Sequence, residues 1–261
     1  MDHEGLRAIL ARFDQLHLLV VGDYFLDNYL VIDPALSETS LETGLEAYQV
    51  VETRPSPGAA GTVTNNLRVM GVRVIALGVL GDDGAGYELR RGLAATGVDT
   101  AALITAPGRL TPTYTKPMLR QPDGSERELN RLDLKNRAPL SPEIARQVIG
   151  RLRELAGQVD GIIVSDQINE PECGVISAAV REALAELGAG RPDLVITADS
   201  RARVGLFREV IVVPNARETL RAVLGGWHGE PSRREVEEAG AKLCVRNGRP
   251  VFVTMGAEGV L

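Results

Sequence analysis

Histidine, cysteine and positive charge are all scarce in this chain, and each shortage removes a class of chemistry. The three histidines, His3, His17 and His228, are scattered, which supports neither a zinc site nor a histidine-based triad. The two cysteines, Cys173 and Cys244, lack close pairing and metal-ligand spacing, so they suit a reducing cytoplasm and read as small buried hydrophobes rather than catalytic thiols. Lys and Arg number 29 against 35 Asp and Glu, and the net charge of -6 argues against a nucleic-acid partner. No apolar run approaches the length of a membrane span, and the N-terminus lacks the basic and apolar regions of a signal peptide, so no membrane partner is expected. G-x-G-x-x-G occurs nowhere, and neither does a Gly-Lys pair, which disfavours both a Rossmann dinucleotide site and a Walker A loop.

What is present is a chain of 261 residues, 44% hydrophobic and 25% charged, long enough for a large core. It alternates. Leu16 to Val21 is an apolar run broken only by His17 and closed by Gly22-Asp23, as in a buried parallel strand with a carboxylate at its C-terminal edge. Further strands are expected over Val72 to Leu80, Val98 to Ile104, Gly161 to Ser165, Asp193 to Ala198, Glu209 to Val213 and Val251 to Thr254. Helices are expected over 4–14, 85–96, 141–156, 172–188, 216–224 and 232–247. Thr113 to Leu119 and Glu128 to Leu132 flank Pro122-Asp123-Gly124 and read as a β-hairpin, a candidate lid or interface element. Asp23, Asp166, Asp199, Asn215 and Thr254 thus stand at strand C-termini, where open α/β sheets bind ligands. The class is a single doubly wound α/β domain with one cleft.

The stretch Ser56 to Gly71 organises the rest. Pro55 and Pro57 point to a loop, and Gly58 lets the backbone turn or approach a ligand. From Gly61 a helix begins, with Val63, Leu67 and Met70 at helical spacing and Gly71 at its C-terminus. Such a helix start suits a polyhydroxy or phosphorylated ligand; equally, small residues there could serve packing against a sheet. Asp23 and Asp27 are acceptors able to hold sugar hydroxyls, against which stands a loop-capping role, stronger for Asp27 than for Asp23.

Taken in order, Gly22-Asp23, the Gly58 loop into Asn66, Gly78-Val-Leu-Gly-Asp-Asp-Gly84 and Asn215-Ala-Arg-Glu218 resemble the PfkB/ribokinase family of carbohydrate kinases, most of all the kinase domain of bifunctional heptose-phosphate kinase/adenylyltransferases. The resemblance implies a ribokinase-like three-layer α/β/α fold, doubly wound on a mostly parallel sheet, with a small β lid drawn from about 29–54 and 110–133. It implies that Asp23, Asp27, Gly58, Ala59 and Lys116 face a sugar or sugar phosphate, with Arg131 and Asp133 near it and Asp166 in the same site. Thr62 replaces an asparagine usual in the glycine-rich motif, while Asn66 matches a second one. Asn215 and Glu218 match a motif that organises Mg²⁺ and nucleotide phosphates, and Thr254, Gly256 and Gly259 sit where the family approaches ATP. Glu218 could instead be a first-turn carboxylate favoured by the helix dipole. A homodimer through the lid is also implied.

Departures from the family pattern carry expectations of their own. Ser165-Asp166-Gln167-Ile168-Asn169 stands where Ser-Asp-Tyr-x-Lys-Gly is usual, so a substrate-facing lysine is missing, and Asp199-Ser-Arg201 stands for Asp-Pro-Lys, keeping a cation near phosphate. The Gly-Ala-Gly-Asp motif, whose Asp is the family's general base, is not among these residues and is expected beyond Leu261, in a longer kinase of which this chain would be a part. Two readings follow: an ATP- and Mg²⁺-dependent sugar kinase, or a non-catalytic sugar- or nucleoside-binding pseudokinase.

Overall fold

The computed structural model describes residues 3–261. The first part runs α1 (His3–Leu10), β1 (His17–Gly22), β2 (Tyr24–Ile32), the short β3 (Glu38–Thr39) and β4 (Glu46–Ala47), then β5 (Val50–Ala59), α2 (Ala60–Val69), β6 (Arg73–Leu77), β7 (Val79–Gly81) and α3 (Gly84–Ala95). The middle holds β8 (Ile104–Ala106), β9 (Thr113–Arg120), β10 (Glu126–Glu128), β11 (Leu132–Leu134) and α4 (Pro142–Ala156). The last part holds β12 (Gly161–Asp166), α5 (Ala178–Gly190), β13 (Val195–Ser200), β14 (Ile211–Val212), α6 (Ala216–Leu224) and α7 (Arg233–Asn247).

Apolar strands without polar alternation must be covered on both faces, and they are. The central sheet has order β14-β13-β12-β1-β6, with every neighbour parallel. Leu19, Val21, Ile162 and Val164 pack with Val148 and Leu152 of α4 and Val180 and Leu184 of α5. Their neighbours Val20, Val74 and Ala76 point the other way, to Ala60 of α2 and Leu89 and Leu93 of α3. Three layers result. Gly22 ends β1 because a Cβ there would stand 2.1 Å from the Ser165 carbonyl oxygen of β12, closer than any side chain allows.

A second sheet, β10-β9-β2-β5 with β11 on β9, forms the lid. Here the structure corrects the proline reading: Pro55 and Pro57 lie inside a ten-residue strand. β5 is the outer strand, antiparallel to β2, and the prolines are two residues apart, so both missing N–H groups fall on its unpaired side. The α2 helix and the positive φ of Gly71 follow as expected, although Met70 is exposed.

Three further boundaries move for identifiable reasons. Asp99 turns the chain by accepting the Ala101 N–H on its own carboxylate, so the strand expected over 98–104 shrinks to a single bridge with Ile75 before β8 begins. Helix α5 starts at Ala178 rather than near 172, and within the segment before it Val175 gives its N–H to Asp23 instead of to a helical carbonyl. Val251 to Thr254 is held by isolated bridges, Val251 to Val212 of β14 and Thr254 to Asn215 beyond it, rather than as a regular strand.

Candidate functional site

Strand alternation gathers one group of residues on the cleft face of the lid. Register pairs Phe25 with Gly58, Asp27 with Ser56 and Tyr114, Tyr29 with Lys116, and Tyr114 with Asp133, and cross-strand partners share a face. Lys116 Nζ lies 3.2 Å from Asp27 Oδ1 and donates to the Tyr29 hydroxyl at 3.1 Å, 4.7 Å from that ring's centre. Burial by itself would lower the Lys116 pKa, but Tyr29 and Asp27 outweigh it and hold the ammonium above its ordinary range. Gly58 is a glycine for a local reason: a Cβ there would meet Asp27 Oδ2 at 2.7 Å. Arg131 grips Asp133 through two bonds, of 2.5 and 2.8 Å, and lies 4.1 Å from the centre of the Tyr114 ring. Asp27, Gly58, Lys116, Arg131 and Asp133 therefore do come together, on a face with carboxylate acceptors, cationic donors and tyrosine rings, a set suited to a hydroxylated ligand.

The opposite face of the lid is structural. Tyr24 and Leu26 join the core with α2 and α3, and Pro57 presses on Gly61 and Gly92. Ala59 closes β5 with φ 53° and ψ -117°, a conformation that strains an L residue, and no side chain caps the N-terminus of α2 that follows it. Thr62 and Asn66 sit exposed on that helix, one turn apart. The Gly78–Gly84 motif is scaffold: Asp83 caps α3 through the Gly86 N–H and also accepts from Thr111 N–H.

Two of the residues expected to contact the sugar are buried in this structure. Asp23 is 2% exposed, and its carboxylate accepts the backbone N–H groups of Gln167 at 2.8 Å, Ile168 at 3.1 Å and Val175 at 2.7 Å. It pins the 167–175 loop and presents no open oxygen to the cleft. Burial, with Asp166 adding repulsion, lifts its pKa to about 6 against the pull of those three N–H groups. Asp166 is fully buried and held by Arg203, Nη2 to Oδ1 at 2.6 Å and Nε to Oδ2 at 3.2 Å, while Ser200 donates to Oδ2 at 2.6 Å. Arg203 also donates to the carbonyls of Ile168 and Asn169, so the pair stitches the loop shut.

The expected nucleotide residues converge elsewhere on the same sheet edge. Arg201, Asn215, Glu218, Thr254 and Gly256 line one cavity of about 580 Å³, and Asn169, Arg201, Glu218 and Arg221 line an adjoining one of about 380 Å³. Gly259 is outside that lining; its carbonyl accepts the Met255 N–H and closes the turn below. Asn215 and Glu218 form a reciprocal capping box on α6, each accepting a backbone N–H of the other at 2.9 Å. Partial burial raises the Glu218 pKa, opposed by the Asn215 N–H; Asp199 nearby raises it further, while Arg201 and Arg221 lower it. Burial likewise raises Asp199. Of the two carboxylates only Glu218 lines the cavities, with Asp199 close enough to raise its pKa; a carboxylate so placed suits a small divalent cation that takes one or two protein oxygens and keeps its other positions for water and phosphate. Among the described residues no group of three or more His, Cys, Asp or Glu could hold a metal by itself, and no helix is long and apolar enough to cross a membrane.

Tyr29, Tyr114, Gln167, Arg203 and Arg221 escaped the sequence reading. Strand parity with Asp27 and Lys116 could have found the tyrosines. Arg203 stands 37 residues from Asp166, and no local pattern signals that pairing.

This arrangement defines the class: a ribokinase-like α/β/α fold with a β lid. Phosphofructokinase-2 from Escherichia coli, solved with fructose-6-phosphate, superposes with a TM-score of 0.60 at 15% identity, covering 94% of this chain and 76% of that one. Ribokinase from Cryptococcus neoformans, solved with ADP, gives 0.55 at 19%, covering 94% and 75%. The chain belongs to the pfkB family carbohydrate kinases, whose pattern matches residues 28–261. Bifunctional protein HldE of Trichlorobacter lovleyi is 29% identical over 85% of this chain and 43% of its own length, and that of Desulfatibacillum aliphaticivorans 27% over 100% and 51%. The chain spans about half the length of these curated relatives.

Proposed function

We propose that this chain forms the sugar- and nucleotide-binding body of an ATP-dependent kinase that phosphorylates a hydroxyl of a sugar or sugar phosphate. The observation that carries the reading is the convergence of Arg201, Asn215, Glu218, Thr254 and Gly256 on one cavity at the C-terminal edge of the parallel sheet. The 166–173 loop links that cavity to the lid: Ile168 and Cys173 pack on Phe25, and Gln167 reaches Asp199.

In this reading the sugar lies against Asp27, Gly58 and Lys116, and the phosphate chain lies by Arg201 and the start of α6. Glu218, with Asp199 nearby, would hold Mg²⁺, which would supply charge neutralisation for phosphoryl transfer. Glu218 and Asn215 hold that carboxylate still through the capping box; Lys116 orients Asp27 toward hydroxyls. Ligand binding is the readout that tests this proposal. A cytoplasmic kinase that dimerises through its lid sheet completes the proposal, and a sedimentation series reads that last part directly.

Glu218→Gln separates metal binding from helix capping. Glutamine keeps an oxygen for the Asn215 N–H, so the melting temperature should stay within about 2 °C, while Mg-ADP affinity falls about tenfold. Equal Mg-ADP affinity in the two proteins removes Glu218 from the metal site. Stabilisation by sugars with no response to Mg-ADP would favour the binding-module reading instead.

A further inference from the structure

Between the lid and the Glu218 cavity stands one side chain that the proposed roles leave unused. Gln167 follows β12, and its main-chain N–H is anchored on Asp23 at 2.8 Å. Its side-chain Nε2 donates to Asp199 Oδ2 at 2.9 Å, and its Oε1 accepts from Arg201 Nε at 3.3 Å and Nη2 at 3.2 Å. The amide orientation follows from these neighbours, because a flipped amide would set NH₂ against the guanidinium and C=O against the carboxylate. Glutamate would repel Asp199, and an aliphatic side chain would satisfy neither neighbour. A neutral group with a donor at one end and an acceptor at the other is what the position demands.

The contrast with the lid shows what neutrality achieves. There Lys116 is paired with Asp27 and Arg131 with Asp133, so each cation is largely compensated. Among the described residues Arg201 has no carboxylate within salt-bridge distance; Asp199 and Glu218 are near enough to feel its charge without contacting it, and its guanidinium bonds to the uncharged oxygen of Gln167. A carboxylate would hold the arginine more tightly but cancel the charge an anion needs. An uncharged acceptor fixes the long side chain, so less rotamer freedom is lost when an anion arrives, and leaves its charge intact.

We propose that Gln167 is a positioning residue that presents the Arg201 guanidinium, which no carboxylate contacts directly, to the phosphate chain of a nucleotide, a role that rests on the nucleotide reading of the Glu218 cavity. Gln167 touches no ligand itself; it acts through Arg201 and is braced by Asp199 and Asp23.

The test is a double-mutant cycle read by titration calorimetry with Mg-ADP on the chain as it stands. Arg201→Ala should weaken binding about thirtyfold and Gln167→Ala about fivefold. The double variant should match Arg201→Ala alone, because without the arginine Gln167 has nothing to position. If Gln167→Ala lowers affinity by the same factor with and without Arg201, its role is general to the fold and the proposal is overturned. Unchanged affinity in Gln167→Ala, with wild type binding normally, overturns the positioning role and leaves the cavity reading intact. Absence of Mg-ADP binding in a folded wild type overturns both. Should Gln167→Ala fail to fold, Gln167→Met fills the same volume without either hydrogen bond and the same cycle decides.

Discussion

Asp23 sets burial against hydrogen bonding, and a pH titration of stability decides between them. Three backbone N–H groups favour its ionised form, whereas full burial and the nearby Asp166 disfavour it. Burial wins, raising the pKa from an ordinary 3.8 to about 6. Between those values the folded chain holds a proton that the unfolded chain has released. The contribution of this group is therefore complete below the unfolded value and is lost as pH rises through the folded one. The loss amounts to about 3 kcal/mol, of which about 2 kcal/mol falls between pH 4 and 7. Asn at this position keeps the size and cannot titrate. Urea unfolding of wild type and Asp23→Asn across that range should show the wild type losing about 2 kcal/mol relative to the variant as pH rises. A difference that stays constant with pH, or that moves in the wild type's favour, would mean that the three N–H groups outweigh desolvation, and the reasoning would fail.

Other outcomes follow from the same contacts. Ala59→Gly relieves an alanine held at φ 53° and should raise stability by about 1 kcal/mol in the same urea assay. Gly22→Ala places a methyl 2.1 Å from the Ser165 oxygen and should cost more than about 3 kcal/mol, seen as loss of soluble, cooperatively melting protein. Arg203→Met strands the Asp166 carboxylate in the interior and should destabilise by about 3–5 kcal/mol, with proteolytic sensitivity appearing first in the 167–177 loop.

The parallel sheet was legible because its strands announce themselves locally. Leu18 to Val21 is apolar on both faces, as only a doubly covered strand can be, and polar groups close the runs at Asp23, Asp166 and Asn215. Helix α4 was equally plain, since Ser141 caps it and Pro142 occupies its first turn. The site was partly legible. Asp27, Gly58 and Lys116 come together on the lid, and Asn215, Glu218, Thr254, Gly256 and Arg201 line one cavity. Asp23 and Asp166 carry the same type of carboxylate as Asp27, yet their oxygens turn inward to backbone N–H groups and to Arg203.

Local sequence thus determined which segments are strands and helices and which polar residues stand at their ends, because periodicity and capping act over a few neighbouring positions. Only the tertiary structure decided which of those polar groups are spent on the fold. Whether a carboxylate is free depends on what packs against it, and here the partners lie far along the chain: Gln167, Ile168 and Val175 for Asp23, and Arg203 for Asp166. The prolines of β5 make the same point, since whether a missing N–H matters depends on whether another strand lies beside it, and at the lid's edge none does.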